Sequence, residues 1–187
     1  ECGLAVGLNT LFNLSIDKVD LVKLSQKAEN EFVGMNCGIM DQFASVFGKD
    51  RHALKLDCRS LEYEYYPADI SGYKLVLFNS AVKHSLVDSE YNVRRSQCEE
   101  GVALLQKLSE NIESLRDATL PMLEKYQEHF DEVVYRRCAY IVKENQRVLD
   151  ACQALAKQDL ATFGQKLYGS QHGMQHEYEI TVPETEI

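Results

Sequence analysis

The feature of this sequence that most restricts its fold is a long apolar stripe in the C-terminal half. Seven residues recur there at alternating spacings of four and three, which places them on one face of a helix. The members of this stripe are Val134, Cys138, Ile141, Asn145, Val148, Cys152 and Leu155. The spacing predicts a helix from about residue 131 to 158, and its apolar face has to pack against other elements.

Helical patterns also cover most of the remaining C-terminal half. Asp88 or Ser89 can cap a helix that runs to Leu108. A further helix is predicted over residues 160–178, after a break at Gln158-Asp159, and Pro183 can open another. The second half of the chain is therefore predicted to be rich in helices.

The N-terminal half is predicted to begin with three helices. Apolar and small residues over 4–14 favour a helix that is packed on several sides, and Ser15 or Asp17 can cap a second one. In that second helix one stripe contains Leu21, Ser25, Ala28 and Phe32. A glycine-flanked loop over 34–38 precedes a short helix that Gly48 ends.

Strand patterns follow these helices. Alternating apolar residues over 54–58 and 61–65 predict an antiparallel pair that Pro67 ends, and the apolar run over 73–78 predicts a buried strand. The segment 67–72 is the best candidate for a domain boundary. We therefore predict an α+β fold with one domain over residues 1–72 and a helix-rich domain over residues 73–187.

Composition excludes several classes of protein. Hydrophobic residues make up 45% and charged residues 26% of the 187 residues, as in ordinary folded domains. The net charge of −9 argues against nonspecific binding of nucleic acid. The longest apolar runs are far shorter than the roughly 18 residues that cross a bilayer. The six cysteines form no C-x-x-C pair, so we expect reduced and mostly buried thiols, no zinc site, and a cytoplasmic protein without a membrane partner.

Two carboxylates are the candidates for chemistry. Asp41 falls in the first turn of a predicted helix, where backbone amides stabilise an anion, and Gly34 and Gly38 let the backbone turn and let a ligand approach. Glu29 lies twelve residues earlier, and paired carboxylates suit Mg²⁺. The residues alone equally allow Asp41 to stabilise only a helix end and Glu29 to bond only to Arg or to backbone amides.

A family resemblance carries the interpretation further. The segments 26–34, 36–45, 56–61, 79–86, 89–99, 136–145, 159–164 and 178–184 resemble galactokinases of the GHMP small-molecule kinase superfamily. The most specific blocks are Gly38-Ile39-Met40-Asp41-Gln42 and Ser89-Glu90-Tyr91. The resemblance implies the GHMP kinase fold, with the end of the N-terminal domain, which is similar to ribosomal S5 domain 2, followed by the helix-rich start of the C-terminal domain.

The resemblance also implies an activity and its residues. Galactokinases transfer a phosphoryl group from ATP, with Mg²⁺, to the anomeric hydroxyl of galactose. By similarity, Asp41 is the catalytic base, Gly38 and Tyr91 contact the sugar, and Glu29 is a magnesium ligand. The family's N-terminal signature, its phosphate loop and its late glycine-rich motif are not in this sequence, so no ATP-contacting residue is assigned.

The missing motifs lead us to expect a central piece of a longer protein that is inactive by itself and that can self-associate through exposed core surface. Three alternatives stay open. The chain can derive from an N-acetylgalactosamine kinase, from a galactose-sensing regulator that does not turn its ligand over, or from an inert packing domain.

Overall fold

The computed structural model describes residues 1–34, 37–79, 81 and 90–186, apart from the side chains of Glu90 and Tyr91. The chain divides into two compact units, Glu1–Lys74 and Leu75–Ile187. The predicted boundary after residue 72 lies two residues from this division, and the assignment of the two units to the two domains of a GHMP kinase stays a prediction. No described helix combines the length and the apolarity that a membrane span needs.

The first unit contains three α-helices. They are α1 over Cys2–Leu11, α2 over Lys18–Lys27 and α3 over Met40–Phe47, and a π-helix over Ala28–Val33 continues α2. Asp17 begins α2 as predicted, because its carboxylate accepts a hydrogen bond of 2.7 Å from the amide of Val19. Gly48 follows the last residue of α3, also as predicted.

The prediction that the first helix is packed on several sides is wrong for the described residues. Leu4 and Leu11 are 68% and 72% exposed, and no residue of α1 is buried. The physical reason is a lack of neighbours, since within the first unit α1 contacts only α2 and α3 to any extent.

The predicted stripe of α2 is correct at its start and wrong at its end. Leu21 and Ser25 are buried, whereas Phe32 is 93% exposed. The stripe assumes a constant α-helical pitch, but the chain changes to a π-helix at Ala28. A π-helix has i→i+5 hydrogen bonds and a wider turn, which rotates the following side chains away from the α-helical face.

A β-hairpin covers the core of the first unit. Strands β1 (His52–Leu56) and β2 (Tyr63–Pro67) pair in antiparallel fashion with Leu54 opposite Tyr65, which confirms the predicted pair and its end at Pro67. The core contains Val22, Ile39 and Phe43. The hydroxyl of Tyr65 donates a 2.6 Å hydrogen bond to the carbonyl of Phe47 and so ties the hairpin to the end of α3.

The prediction of a buried strand over residues 73–78 is wrong. No strand is assigned there, and Leu75 and Leu77 are 87% and 98% exposed. A strand needs a hydrogen-bonded neighbour, and β1 and β2, the two strands found among the described residues, pair with each other.

The second unit is a set of helices around the long helix that the apolar stripe predicts. The helices are α4 over Glu90–Leu108, α5 over Leu120–Lys125, α6 over Glu132–Ala156 and α7 over Leu160–Gly173, with 3-10 turns over Gln127–His129 and Pro183–Thr185. Helices α4, α5 and α7 all contact α6. The core includes the fully buried side chains of Leu105, Leu123 and Cys138.

Two details of the second unit differ from the prediction. The middle of the α6 stripe is not buried, since Asn145 and Val148 are exposed. The helix predicted over 160–178 is α-helical only to Gly173, and a π-helix over Met174–Tyr178 completes it.

Two buried arginines hold the end of this π-helix. Arg94 donates to the carbonyls of Tyr178 and Glu179 at 2.6 and 2.7 Å. Arg137, whose side chain is 3% exposed, donates to the carbonyl of Glu177 and to the carboxylate of Glu179. Glu179 adopts a left-handed backbone conformation, with φ of 51°. The arginines therefore fix a turn that reverses the chain after the π-helix.

Among the six cysteines only Cys138 is buried, Cys58 is exposed and the other four are half-buried. The expectation of mostly buried thiols is therefore wrong. Burial raises the pKa of the Cys138 thiol to about 12, which keeps this sulfur protonated and unreactive at neutral pH.

Candidate functional site

Asp41 lies in the first turn of α3, as the sequence predicts, and its side chain is exposed. Buried Ile39 and Phe43 on either side of it anchor the helix in the core of the first unit. No side chain caps the N-terminus of α3, so its first amide groups are not used by a cap. The carboxylate of Asp41 makes no hydrogen bond or ion pair to other residues in the described part of the chain, and it is accessible to a ligand.

The two glycines of the preceding loop act in different ways. Gly34 ends the π-helix with φ of 83°, a conformation that L-residues other than glycine rarely adopt. Gly38 does not have a positive φ, so its backbone conformation is one that other residues can also adopt. A Cβ at Gly38 would meet no described atom within 4 Å. Gly38 is exposed, and no described residue fills the space where a side chain would lie, which allows a ligand to approach its backbone closely.

A group of polar side chains that sequence reasoning missed holds the end of this loop. Gln26 donates to the carbonyl of Cys37 at 3.2 Å. The Cys37 thiol donates to Asn30 at 3.4 Å and accepts from the amide of Gln42 at 3.7 Å. Gln26 and Asn30 are four residues apart, and this helical spacing is the one signal that could have indicated a shared partner.

Glu29 lies on the π-helix between α2 and the loop, and it is half-buried. Its carboxylate has no hydrogen-bond or ion-pair partner within the described residues, which argues against the alternative of a salt bridge or amide contact in that part of the chain. Three or more ligand-type side chains do not gather at any point of the described chain. A single carboxylate of this kind fits Mg²⁺, which takes one or two protein carboxylates and keeps waters or substrate phosphates as its other ligands.

Tyr91 is the second residue of α4 in the second unit, and its side chain lies outside the described residues. The structure thus brings Gly38 and Asp41 to one loop–helix junction, with Glu29 on the π-helix that leads into it. The sugar contact assigned to Tyr91 stays a prediction.

Comparisons with known proteins relate this chain to GHMP kinases and to galactokinases. A family model for the N-terminal domain of GHMP kinases matches residues 1–49, which include Glu29, Gly38 and Asp41. A galactokinase of Clostridium beijerinckii is 44% identical over 93% of this chain and 45% of its own length. A galactokinase of Thermotoga maritima is 41% identical over the whole chain and 51% of its own length. The chain thus spans about half the length of these relatives.

A solved structure shows the same fold. The galactokinase of Lactococcus lactis, determined in complex with galactose, superposes with a TM-score of 0.91 and 34% identity over 98% of this chain and 47% of its own. The chain is therefore similar to galactokinases over nearly its whole length, in sequence and in fold, and its first 49 residues match the N-terminal domain of GHMP kinases.

Proposed function

We propose that this chain is the central part of a galactokinase, which transfers the γ-phosphoryl group of ATP to the anomeric hydroxyl of D-galactose and yields galactose 1-phosphate. The observation that carries the proposal is the exposed carboxylate of Asp41, which has no partner among the described residues, beside the exposed backbone of Gly38. This arrangement leaves room for a sugar hydroxyl at the carboxylate, in a sequence that is similar to galactokinases.

Asp41 has the chemistry that this reaction needs. Phosphoryl transfer passes through a loose transition state, so positioning and charge stabilisation matter more than strong basicity. The Asp41 carboxylate accepts the hydroxyl proton and orients the hydroxyl oxygen toward the γ-phosphorus. The proton leaves the sugar as the new O–P bond forms and the bond to ADP breaks.

Gly38 and Tyr91 are proposed to bind the sugar. The missing Cβ of Gly38 lets the sugar approach the backbone, whose polar groups can bond to a hydroxyl. A tyrosine ring can cover one face of a sugar, and its hydroxyl can donate a hydrogen bond.

Glu29 is proposed as a magnesium ligand. When bound, the metal neutralises charge on the phosphates of ATP during transfer. Glu29 supplies one oxygen ligand to it, which fits the lone half-buried carboxylate that the structure shows on the π-helix.

The proposal is tested with a chimera and with the chain itself. In the chimera, this chain replaces the matching segment of the Clostridium beijerinckii galactokinase. A coupled assay should detect galactose-dependent release of ADP from the chimera and none from the isolated chain. A chimera that folds and binds ATP but releases no ADP with galactose would contradict the proposal, and activity with N-acetylgalactosamine alone would redirect it to that substrate.

Binding without turnover would indicate a galactose sensor. Calorimetry of the chimera with galactose, in the absence of ATP, separates that outcome from a failure to bind the sugar. We further infer a cytoplasmic location, which is supported by six cysteines that all lie in the described part of the chain and form no disulfide with one another, because oxidising compartments favour disulfides.

A further inference from the structure

Between the π-helix and α3, Cys37 makes three hydrogen bonds to other segments of the first unit, one through its carbonyl and two through its thiol. Cys37 comes directly before Gly38, and the two are the described residues that precede buried Ile39. Gly38 has no side chain and is exposed, so it cannot anchor itself in the core. The position of its backbone is therefore set by its two neighbours, buried Ile39 on one side and the bonds made at Cys37 on the other.

Cys37 receives these bonds from three different segments. Gln26 comes from α2 and holds the Cys37 carbonyl, Asn30 comes from the π-helix and accepts from the thiol, and Gln42 comes from α3 and donates to the sulfur. All four side chains are half-buried, which limits competition from water. The two helical segments before the loop are thus tied to the helix after it.

The hydrogen bonds of the Gln42 side chain contribute little to the stability of the folded chain. Its Nε2 reaches the sulfur at 3.7 Å, and its Oε1 is buried and has no partner among the described residues. An unpaired buried oxygen costs free energy that an apolar residue of similar size would avoid. A thiol is also a weak hydrogen-bonding group, so the bond itself contributes little to stability.

We infer that Gln42, Gln26 and Asn30 are positioning residues for the sugar side of the site and act on Gly38 through Cys37. The inference rests on the proposed function and adds to it a group of residues that touch neither sugar nor phosphate. Small displacements of positioned groups can change catalytic rates by large factors, on the order of a hundredfold for about 1 Å. Three side-chain contacts on one residue are suited to prevent such a displacement.

The first experiment uses the chimera and separates binding from chemistry. Gln42→Leu removes the donor while keeping most of the volume, and it should raise KM for galactose about tenfold or more while KM for ATP stays unchanged. Cys37→Ala should behave in the same way. Cys37→Ser keeps a group that can donate and accept, so it should restore most of the affinity for galactose. Cys58→Ala, at an exposed thiol outside the loop, is the control.

A second experiment measures the contacts directly in this chain and needs no activity. Alkylation by iodoacetamide is followed by mass spectrometry, in which the Cys37 sulfur forms a bond to carbon, iodide leaves and the thiol proton passes to solvent. Asn30→Leu should increase the rate at Cys37 about tenfold and leave the rate at Cys58 unchanged, because only the Cys37 thiol loses the oxygen that accepts its proton, and the thiolate is the reactive form.

The two experiments distinguish the inference from the proposed function. An unchanged alkylation rate at Cys37, or an unchanged KM for galactose in an active chimera, overturns the inference. Equal increases in KM for galactose and ATP with a lower melting temperature also overturn it, since they indicate a purely structural role. An inactive chimera with faster alkylation overturns the proposed function and, with it, the role in sugar binding.

Discussion

Glu179 has a left-handed backbone conformation, which is unfavourable for residues other than glycine, and its carboxylate forms ion pairs with two arginines. Its carboxylate accepts from buried Arg137 and lies 3.2 Å from Arg136. The hydrogen bond from Arg137 is the main cause that holds the pKa of Glu179 below its ordinary value. The contact therefore stabilises the folded chain only while the carboxyl group is ionised.

We expect Glu179→Gln to lower the free energy of unfolding by about 1–2 kcal/mol at about pH 7, the range for a charged hydrogen bond that solvent partly screens. Since the folded-state pKa is the lower one, this contribution is complete above the unfolded-state pKa and is lost as the pH falls through the folded-state pKa. Urea unfolding of both proteins at about pH 7 and about pH 3 should show a difference in the free energy of unfolding that is smaller in acid.

Glu99→Gln is the matched control for Glu179. Glu99 forms an exposed i,i+4 pair with Arg95 at 2.9 Å, and such pairs contribute about 0.2–0.5 kcal/mol. An equal loss for both substitutions would show that the buried arginine gives Glu179 no special role.

At the scale of single residues, the sequence predicts where a residue lies in a helix better than it predicts which side chains that residue contacts. Asp41 in the first turn of a helix follows from the apolar spacing around it, and Asp17 caps α2 as expected. The contacts of Cys37 could not be predicted, because they depend on a π-helix whose wider turn is not visible in a 3.6-residue pattern.

At the scale of elements, helix α4 approaches α6 closely at Gly101. A Cβ built at Gly101 would collide with the Sγ atom of Cys138 and would meet Phe130 at 3.4 Å and Val134 at 3.5 Å. Cys138 is fully buried, so the sulfur has no open space to move into. The glycine is therefore required by packing, although glycine is a poor helix former.

Gly101→Ala should destabilise the chain by about 1–3 kcal/mol, because the overpacking outweighs the gain in helix propensity of about 1 kcal/mol. Gly164→Ala in α7 is the control, since a Cβ there meets no described atom within 4 Å, and it should stabilise by up to about 1 kcal/mol. Thermal and urea unfolding measure both. The packing argument fails if the two substitutions change stability in the same direction.

The sequence predicts a helix or strand correctly where the elements that pack or pair with it lie nearby in the chain. Helix α6 follows from its own stripe, and the hairpin follows from alternation and Pro67, since each of these elements finds its neighbours nearby. Residues 73–78 have the composition of a buried strand but are exposed and unpaired among the described strands. The local sequence pattern indicates that a segment tends to form a strand. It does not show whether a second strand is present to pair with that segment.

At the scale of the whole molecule, exposed apolar surface should make the isolated chain associate. Residues 75–78 expose all four of their apolar side chains, and contiguous exposed apolar surface favours association with another chain. Sedimentation velocity should show concentration-dependent association that Leu77→Asp reduces. Tyr168→Asp, at an exposed ring on α7 outside this segment, should not reduce it. A monomer at all concentrations would contradict this prediction.

The most direct test of the central claim compares the unaltered chimera with Asp41→Asn in the galactose-dependent ADP assay. The amide keeps the size of the side chain but cannot accept the proton. We expect kcat to fall by a factor of about a hundred or more, the lower range for general base catalysis, while calorimetry still detects galactose binding. If Asp41→Asn retains a kcat near that of the unaltered chimera, Asp41 is not the catalytic base.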